Sequence, residues 1–377
     1  MTTPGFYADR RRAVQLGLEA RGLDALVVTS GPNLTYLTGF SGSAGAGIVT
    51  ASTDAGQMDL LVDSRYITVA RTLAASSSID LAVSLVEGSY DEAIALALAQ
   101  TASRRIGVEA PHLTVQRWQW LTSALENTER TLVPVDGIVE AGRRVKDAVE
   151  IERFRAAGRL LDRVVGEAVP FVREGRAERE VAADIEHALV SGGFEDRAFA
   201  TIVASGPHSA LPHARPTDRR LTEGDLVLLD FGGVHGGYCV DISRTLCVGA
   251  PTDDGKRLHA AVLDAQRAAI RAVRPGIPAW RVDEVARETL GRHGLADAFG
   301  HATGHGLGLE VHEAPRLGRR GETGSETALE AGMVITVEPG AYLPTVGGVR
   351  IEDDILVTPD GAELLTDAPR ELRQFAG

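Results

Sequence analysis

The stretch LVLLDFGGVHGGYCVDISRTLCV, residues 226–248, decides the fold of this chain. Residues 226–234 and 237–248 predict two strands, and His235-Gly236 between them predicts a two-residue hairpin turn. With Val234 opposite Gly237, the register places Asp230 opposite Asp241, with Cβ atoms roughly 5 Å apart. Two carboxylates at that separation repel unless they share a proton or a cation. The hairpin therefore indicates either a cation site or a solvated turn with two surface acids.

Three later segments favour the cation site. TGHGLGLEVHE (303–313), TVEPG (336–340) and VRIEDD (349–354) supply His305, Glu338 and Glu352. Strand alternation turns Glu338 away from the apolar residues before it, and it places Glu352 on the face of Arg350. Four carboxylates and one imidazole form a hard, oxygen-dominated donor set that suits paired Mn²⁺, Co²⁺ or Zn²⁺ better than a structural zinc site. Four negative charges also balance two divalent ions.

The five residues Asp230, Asp241, His305, Glu338 and Glu352 resemble the ligands of the M24 metallopeptidases, the "pita-bread" superfamily that includes methionine aminopeptidase, aminopeptidase P and prolidase. The resemblance implies two divalent ions per subunit, with Mn²⁺ first and Co²⁺ or Zn²⁺ as alternatives. By this likeness Asp230 binds one metal, Asp241 and Glu352 bridge both, and His305 and Glu338 complete the other. Such a pair activates a water and polarises the carbonyl that it attacks, and Glu338 is the implied general acid/base.

Three further histidines are candidate site residues. Taken alone, the loop IVASGPHSALPHARP (202–216) is a polar loop with two exposed histidines. Its S-A-L-P-H segment is similar to one in prolidases and aminopeptidases P, which implies that His213 binds substrate and protonates the leaving nitrogen. Ala214 stands where the family usually has glycine. The same resemblance makes His301 and His312 substrate-pocket histidines, although packing roles are the alternative for both.

Arg350 and Tyr342 complete the candidate site. Arg350 is either a surface arginine paired with Asp353 or Asp354, or a fork that orients the bridging acid or binds a substrate carboxylate. Tyr342, in EPGAY, is a candidate hydrogen-bond donor into the pocket.

The domain layout indicates which branch of the family the chain resembles. Methionine aminopeptidases generally lack an N-terminal domain of this kind, and creatinases and the non-catalytic binding relatives lose metal ligands that are all present here. The resemblance therefore implies Xaa-Pro cleavage of small proline-containing peptides. Prolidase action on dipeptides is the first hypothesis, aminopeptidase P action on longer peptides the alternative, and a non-catalytic binding protein the remote one. Arg215, Arg350 and His213 are candidate partners for a substrate carboxylate. A homodimer is also implied, in which the loop 33–43 or Arg65 of a neighbouring subunit limits peptide length.

Bulk composition excludes several classes of protein. The chain has 377 residues and a net charge of −13, from 39 Lys plus Arg against 52 acids, which argues against a nucleic-acid or anionic-membrane surface. We expect neither a signal peptide nor a membrane span, since no apolar run is long enough. Cys239 and Cys247 lie on one predicted strand, roughly 26 Å apart at strand rise, and so cannot bridge to each other. Reduced core cysteines favour a cytoplasmic protein.

The first part of the chain alternates helices and strands, which predicts an α/β N-terminal domain resembling that of creatinases, residues 1–133. Helices are predicted at 6–21 and 113–125, strands at 23–30, 60–66 and 102–110, and a loop at 31–47. No metal-ligand cluster is visible in this part of the sequence. Residues 134–144 are the predicted linker, and 145–377 the catalytic domain.

A weak internal repeat organises the second domain after a predicted helix at 150–169. Residues 172–196 align with 273–297 at an offset of 101, and each copy precedes a β-rich stretch that carries candidate ligands. Two related halves packed together place a site at their junction. The predicted fold class is therefore α/β: a creatinase-like α/β domain, then a pita-bread α+β domain with a pseudo-two-fold repeat.

Overall fold

The structure is a computed structural model that describes residues 6–51, 56–76 and 81–375, so the outermost residues of both predicted domains lie outside it. The chain divides into two compact units between Arg143 and Arg144. The predicted linker, residues 134–144, contains the end of one strand and a short helix. Within the described ranges, no helix has both the length and the apolar composition needed to cross a membrane.

The first unit is built on a six-stranded sheet with strand order β4-β3-β2-β1-β5-β6. The pairs β1–β5, β5–β6 and β3–β4 are parallel, whereas β2 is antiparallel to both of its neighbours. The elements are α1 (Phe6–Ala20), β1 (Ala25–Val28), α2 (Gly31–Thr38), β2 (Ala46–Thr50), β3 (Met58–Asp63), α3 (Ile67–Ser76), β4 (Leu81–Val86), α4 (Tyr90–Ala99), β5 (Arg105–Glu109), α5 (Val115–Leu125), β6 (Thr131–Val135) and α6 (Glu140–Arg144).

Helix α2 corrects the predicted loop at 31–47. The side chain of Ser30 accepts a hydrogen bond from the backbone N–H of Asn33, proline lies in the first turn, and Gly39 ends the helix at φ 77°. The turn-forming residues therefore mark the two ends of a helix rather than a continuous loop.

The second unit contains two sheets and a separate hairpin. One sheet has the order β18-β10-β9-β7, with β8 also on β9; the other has the order β12-β11-β13-β16-β17; β14 and β15 form the hairpin. The elements are α7 (Ala148–Ala168), α8 (Glu178–Ser191), β7 (Asp196–Arg197), β8 (Ile202–Ser205), β9 (Leu226–His235), β10 (Tyr238–Val248), α9 (Asp253–Ala272), α10 (Trp280–Arg292), β11 (Gly304–Gly306), β12 (Glu313–Leu317), β13 (Val334–Val337), β14 (Gly340–Leu343), β15 (Gly347–Arg350), β16 (Asp353–Thr358), β17 (Gly361–Leu364) and β18 (Gln374–Phe375).

The internal repeat is present in three dimensions. Gly175 and Gly276, aligned in the sequence, both have positive φ and donate their backbone N–H to Leu221 and Leu329 respectively. Helices α8 and α10 follow them, and each half has its own apolar core. The first core packs α7 and α8 on β9 and β10, and the second packs α9 and α10 on β13 and β15. The predicted pseudo-two-fold fold class is confirmed.

The hairpin register differs from the predicted one by two residues. Its turn is Gly236-Gly237, with φ values of 59° and 80°, so His235 pairs with Tyr238. A type I′ turn requires positive φ at both central residues, which two glycines adopt more readily than His-Gly. Asp241 consequently lies opposite Gly232, and Asp230 opposite Ser243. Because the shift is two residues, both aspartates stay on one face, as diagonal neighbours.

Candidate metal centre

The five predicted ligands come from five separate places in the second unit. Asp230 lies in β9, Asp241 in β10 and His305 in β11, while Glu338 directly follows β13 and Glu352 lies between β15 and β16. His305 Nε2 is 3.7 Å from Glu338 Oε1 and 4.0 Å from Asp241 Oδ2. Asp241, His305 and Glu352 each offer a ligand atom within 4.8 Å of the other two. The structure thus brings the two halves of the repeat together at one cluster of acids.

Two oxygens in this cluster are buried without a hydrogen-bond partner. They are Oδ1 of Asp241 and Oε1 of Glu352. Burial, and then the charges of neighbouring carboxylates, hold the pKa of both groups well above the usual range. Burial also raises the pKa of Glu338 to about 8. Lone pairs that face one another in a buried space are strongly unfavourable unless a proton or cation lies between them, so this donor set fits divalent metal ions.

His305 is oriented to act as a neutral ligand. Its Nδ1 lies 3.0 Å from the Gly306 carbonyl oxygen and donates to it, which leaves the Nε2 lone pair directed to the carboxylates. Its backbone N–H donates to Thr336 Oγ1 at 3.1 Å and fixes the strand beneath the ring. Burial, followed by the neighbouring His312, lowers the pKa of His305 to about 4.

Arg350 is buried beside the candidate ligands, with 2% of its side chain exposed. Its Nη2 donates to Asp230 Oδ2 at 2.5 Å, and its Nε donates to Ser243 Oγ at 3.1 Å. Its Nη1 donates to the Pro212 carbonyl at 3.0 Å and to Tyr342 Oη at 2.7 Å. The alternative of a surface arginine paired with Asp353 or Asp354 is wrong, because Arg350 pairs with Asp230.

His301 and Tyr342 continue this chain of hydrogen bonds. His301 Nδ1 lies 2.8 Å from the Ala302 carbonyl, which makes it the protonated nitrogen. Nε2 therefore accepts from the Tyr342 hydroxyl at 2.8 Å, and that hydroxyl in turn accepts from Arg350. Burial raises the pKa of Tyr342 to about 12 and, with the Arg350 charge, lowers the pKa of His301 to about 3. Both groups are therefore neutral, and hydrogen bonds through the Tyr342 hydroxyl link them to Arg350.

The other two histidines lie on the exposed side of the cluster. The ring of His312 is 4.3 Å from that of His305 between centroids. His213 is exposed, and it follows Pro212, whose carbonyl accepts from Arg350. The loop that carries His213 is thus tied to the same arginine that holds Asp230.

Sequence reasoning missed two supporting residues. Ser243 donates its hydroxyl to Glu352 Oε2 at 2.8 Å and accepts from Arg350, and Asp354 Oδ2 accepts the backbone N–H of Asp241 at 3.1 Å. Strand alternation offered a signal for Ser243, which is two residues from Asp241 and so shares its face. Asp353 points away from the cluster, to the buried Arg244 and to Arg370.

Two repeated halves that close on a cluster of one imidazole and four carboxylates form an arrangement that suits a metallopeptidase. The family comparisons agree: the model of metallopeptidase family M24 matches residues 152–359, and the model of the creatinase/prolidase N-terminal domain matches residues 10–145. This chain belongs to metallopeptidase family M24.

Individual relatives are similar over almost the whole chain. An Xaa-Pro dipeptidase from Pyrococcus horikoshii is 35% identical over 357 residues, which is 94% of this chain and 96% of the relative. The solved structure of an Xaa-Pro dipeptidase from Bacillus anthracis superposes with a TM-score of 0.91 at 33% identity, covering 98% of this chain and 100% of that one. An X-Pro aminopeptidase from Thermotoga maritima superposes with a TM-score of 0.84 at 33% identity, covering 94% and 98%.

Proposed function

We propose that this protein is a metal-dependent Xaa-Pro peptidase that acts mainly on dipeptides, as a prolidase. The observation that carries the proposal is the pair of unpartnered buried oxygens, on Asp241 and Glu352, beside the oriented His305. The named activities of the Pyrococcus horikoshii and Bacillus anthracis relatives support the substrate class. Chelator-sensitive release of proline from Ala-Pro tests it, and a metal-loaded protein without peptidase activity would favour a binding role instead.

The metal ligands in this proposal are Asp230, Asp241, His305, Glu338 and Glu352, which would hold two divalent ions. When bound, such ions activate a water and polarise the carbonyl under attack. The oxygen-dominated donor set supports Mn²⁺, with Co²⁺ or Zn²⁺ as alternatives. Elemental analysis of protein prepared without added metal identifies the native ion.

The chain's own groups supply orientation and proton transfer. Arg350 holds Asp230 in place, and Ser243 holds Glu352, so the ligands are fixed before substrate arrives. Glu338 takes the proton of the attacking water as a general base, and by way of solvent that proton replaces the one that His213 gives to the leaving nitrogen. His213 protonates the leaving proline nitrogen, which has no N–H of its own before cleavage. His312 lines the substrate side, while His301 and Tyr342 contribute through Arg350.

Dipeptide preference is the finer part of the proposal. Arg215 and His213 are exposed on one loop, and we propose that they bind the carboxylate of the substrate proline. The alternative, aminopeptidase P, is supported by the likeness to the Thermotoga maritima X-Pro aminopeptidase. Comparison of kcat/KM for Ala-Pro and Ala-Pro-Ala at saturating Mn²⁺ decides between them. We expect the dipeptide to be cleaved faster; an equal or faster tripeptide reaction selects the aminopeptidase.

We also propose a cytoplasmic homodimer. The two cysteines are free thiols, which supports a reducing compartment. Sedimentation velocity tests the dimer. In the described structure Arg65 is paired with Asp63 at 2.8 Å, so a role as a wall against longer peptides requires that pair to face the neighbouring site. Replacement of Arg65 by alanine, with Ala-Pro-Ala turnover as the readout, tests that role.

A further inference from the structure

Glu178 is a fully buried carboxylate outside the metal-ligand cluster, at the first residue of α8. Its Oε1 accepts from the backbone N–H of Ser205 at 2.8 Å and from the Ser205 hydroxyl at 2.7 Å. Its Oε2 accepts from the backbone N–H and hydroxyl of Thr217 at 3.1 and 2.7 Å, and from His208 Nδ1 at 3.2 Å. All of these donors lie outside its own helix. One carboxylate therefore joins the end of β8 to residue 217.

Those two positions are the ends of the loop 206–216, which carries His213. The far side of this loop is held by β15: the Gly348 N–H donates to Ser209 Oγ at 2.8 Å, and Arg350 donates to the Pro212 carbonyl at 3.0 Å. A Cβ on Gly348 would come within 1.9 Å of the Ser209 carbonyl oxygen, so the packing there is close. The loop thus has one anchor at the metal centre and one at Glu178.

The Glu178 anchor is a strong one. Burial alone would raise the pKa of Glu178, but the hydrogen bonds from Thr217 and Ser205 outweigh it and lower that pKa, so the group is charged. Hydrogen bonds to a charged acceptor are stronger than those between neutral groups, and loss of the acceptor leaves buried donors unsatisfied. The hydrogen bonds of Glu178 involve none of the proposed metal ligands. Their direct effect is to hold the two ends of the loop 206–216 in place.

We propose that Glu178 is a positioning residue for His213: by joining both ends of the loop 206–216, it fixes the place of that histidine relative to the metal ligands. The inference rests on the proposed function, in which His213 protonates the leaving nitrogen. Proton donation requires hydrogen-bond distance, and a displacement of about 1 Å can cost about 100-fold in rate.

The kinetic test uses Glu178→Gln, which keeps an acceptor for Ser205 but turns an amide N–H₂ group toward Thr217 and His208. We expect kcat for Ala-Pro to fall on the order of tenfold or more, with metal content unchanged and a smaller change in KM. Thr217→Val, a milder change at the same junction, should shift kcat in the same direction. The matched control is Glu180→Gln, on the same helical turn, whose carboxylate faces solvent and accepts from Ala177.

A double variant separates positioning from general damage. If Glu178 acts through His213, then Glu178→Gln combined with His213→Ala is no slower than His213→Ala alone, because residues that act as a unit are not additive. Losses that multiply would overturn the inference.

Hydrogen exchange gives a readout that needs no substrate. We expect Glu178→Gln to speed amide exchange in the peptide spanning 206–217 while the β9–β10 hairpin, 226–248, keeps the wild-type rate. Wild-type exchange in 206–217 would overturn the inference even if kcat fell. Failure of the wild-type protein to cleave any Xaa-Pro peptide would contradict the proposed function by itself, because the exchange result stands independently of turnover.

Discussion

At the scale of single residues, buried polar atoms show where the chemistry lies. Glu352 accepts a hydrogen bond from Ser243 at Oε2, Asp241 Oδ2 lies 4.0 Å from His305 Nε2, and the other oxygen of each acid has no hydrogen-bond partner in the described structure. Arg350, by contrast, has hydrogen bonds to four different groups. The proposed ligand groups therefore keep open lone pairs, whereas the side chains of Arg350 and Ser243 beside them are hydrogen-bonded to protein atoms.

Glu352→Gln should remove at least one metal equivalent and nearly all peptidase activity. The amide retains the hydrogen bond from Ser243 through its oxygen, but it loses the negative charge and puts donors where a cation would lie. Metal content by elemental analysis and kcat for Ala-Pro are the measurements. Asp360→Asn, on an exposed turn, is the control for removal of one charge. Wild-type activity in Glu352→Gln would contradict the ligand assignment.

His213→Ala should leave metal content near normal and reduce kcat about 10²–10⁴-fold, the usual contribution of a positioned acid. Steady-state kinetics on Ala-Pro and elemental analysis of the same sample test both parts. His187→Ala, at an exposed position of α8, controls for loss of a surface imidazole. Loss of metal from His213→Ala would instead place this residue among the ligands.

At the scale of elements, α7 contains two glycines, of which one is closely packed and the other has open space beside it. A Cβ on Gly158 would lie 1.9 Å from the Leu365 carbonyl oxygen, a backbone atom, whereas a Cβ on Gly166 would have no atom within 4 Å. Gly158 thus lets the segment before the C-terminus pack directly on the helix, while Gly166 costs the helix conformational entropy without a packing benefit.

The two glycines therefore predict opposite effects of the same substitution. Gly158→Ala should destabilise the protein by about 1–3 kcal/mol through overpacking, and Gly166→Ala should stabilise it by about 0.5–1 kcal/mol through helix propensity. Urea denaturation followed by circular dichroism measures both, and each variant is the control for the other. Equal effects would mean that the contact with Leu365 does not constrain α7.

At the scale of the whole molecule, stability should depend on pH through His259 in α9. Burial lowers the pKa of this histidine to about 4, although the charge of Glu371 and a hydrogen bond to the Arg370 backbone oppose the shift. Its Nε2 is buried without a hydrogen-bond partner. Between about pH 6.5 and 4 the unfolded chain binds a proton here that the folded chain does not bind, so the free energy of unfolding falls as pH falls.

His259→Gln removes this titration. Each pH unit below 6.5 should lower the free energy of unfolding of the wild-type protein by about 1.4 kcal/mol relative to the variant. Between pH 7.5 and 5 this difference should therefore decline by about 2 kcal/mol. Urea denaturation of both proteins is measured with a chelator present, so that metal binding does not contribute to the pH dependence of stability. A difference that is constant across this pH range would show that His259 titrates normally in the folded state.

The amino-acid sequence by itself determined the two-domain class, the internal repeat and the order along the chain of the acids and histidine that are proposed as metal ligands. These features depend on local properties: strand alternation, helix periodicity, and glycines in turns at matching places before helices, such as Gly175 and Gly276. Both cysteines are free and buried, as strand spacing predicted.

Only the tertiary structure showed the hairpin register and the partners of Arg350 and Glu178. The register followed from two adjacent positive-φ glycines, which made Gly236-Gly237 the turn in place of His235-Gly236. Arg350 bonds to Asp230 across 120 residues of sequence, and Glu178 bonds to Ser205 and Thr217, 27 and 39 residues later, at the two ends of one loop. These partners depend on which buried polar groups still lack a hydrogen bond once the two halves pack. No local pattern in the sequence shows which groups those are.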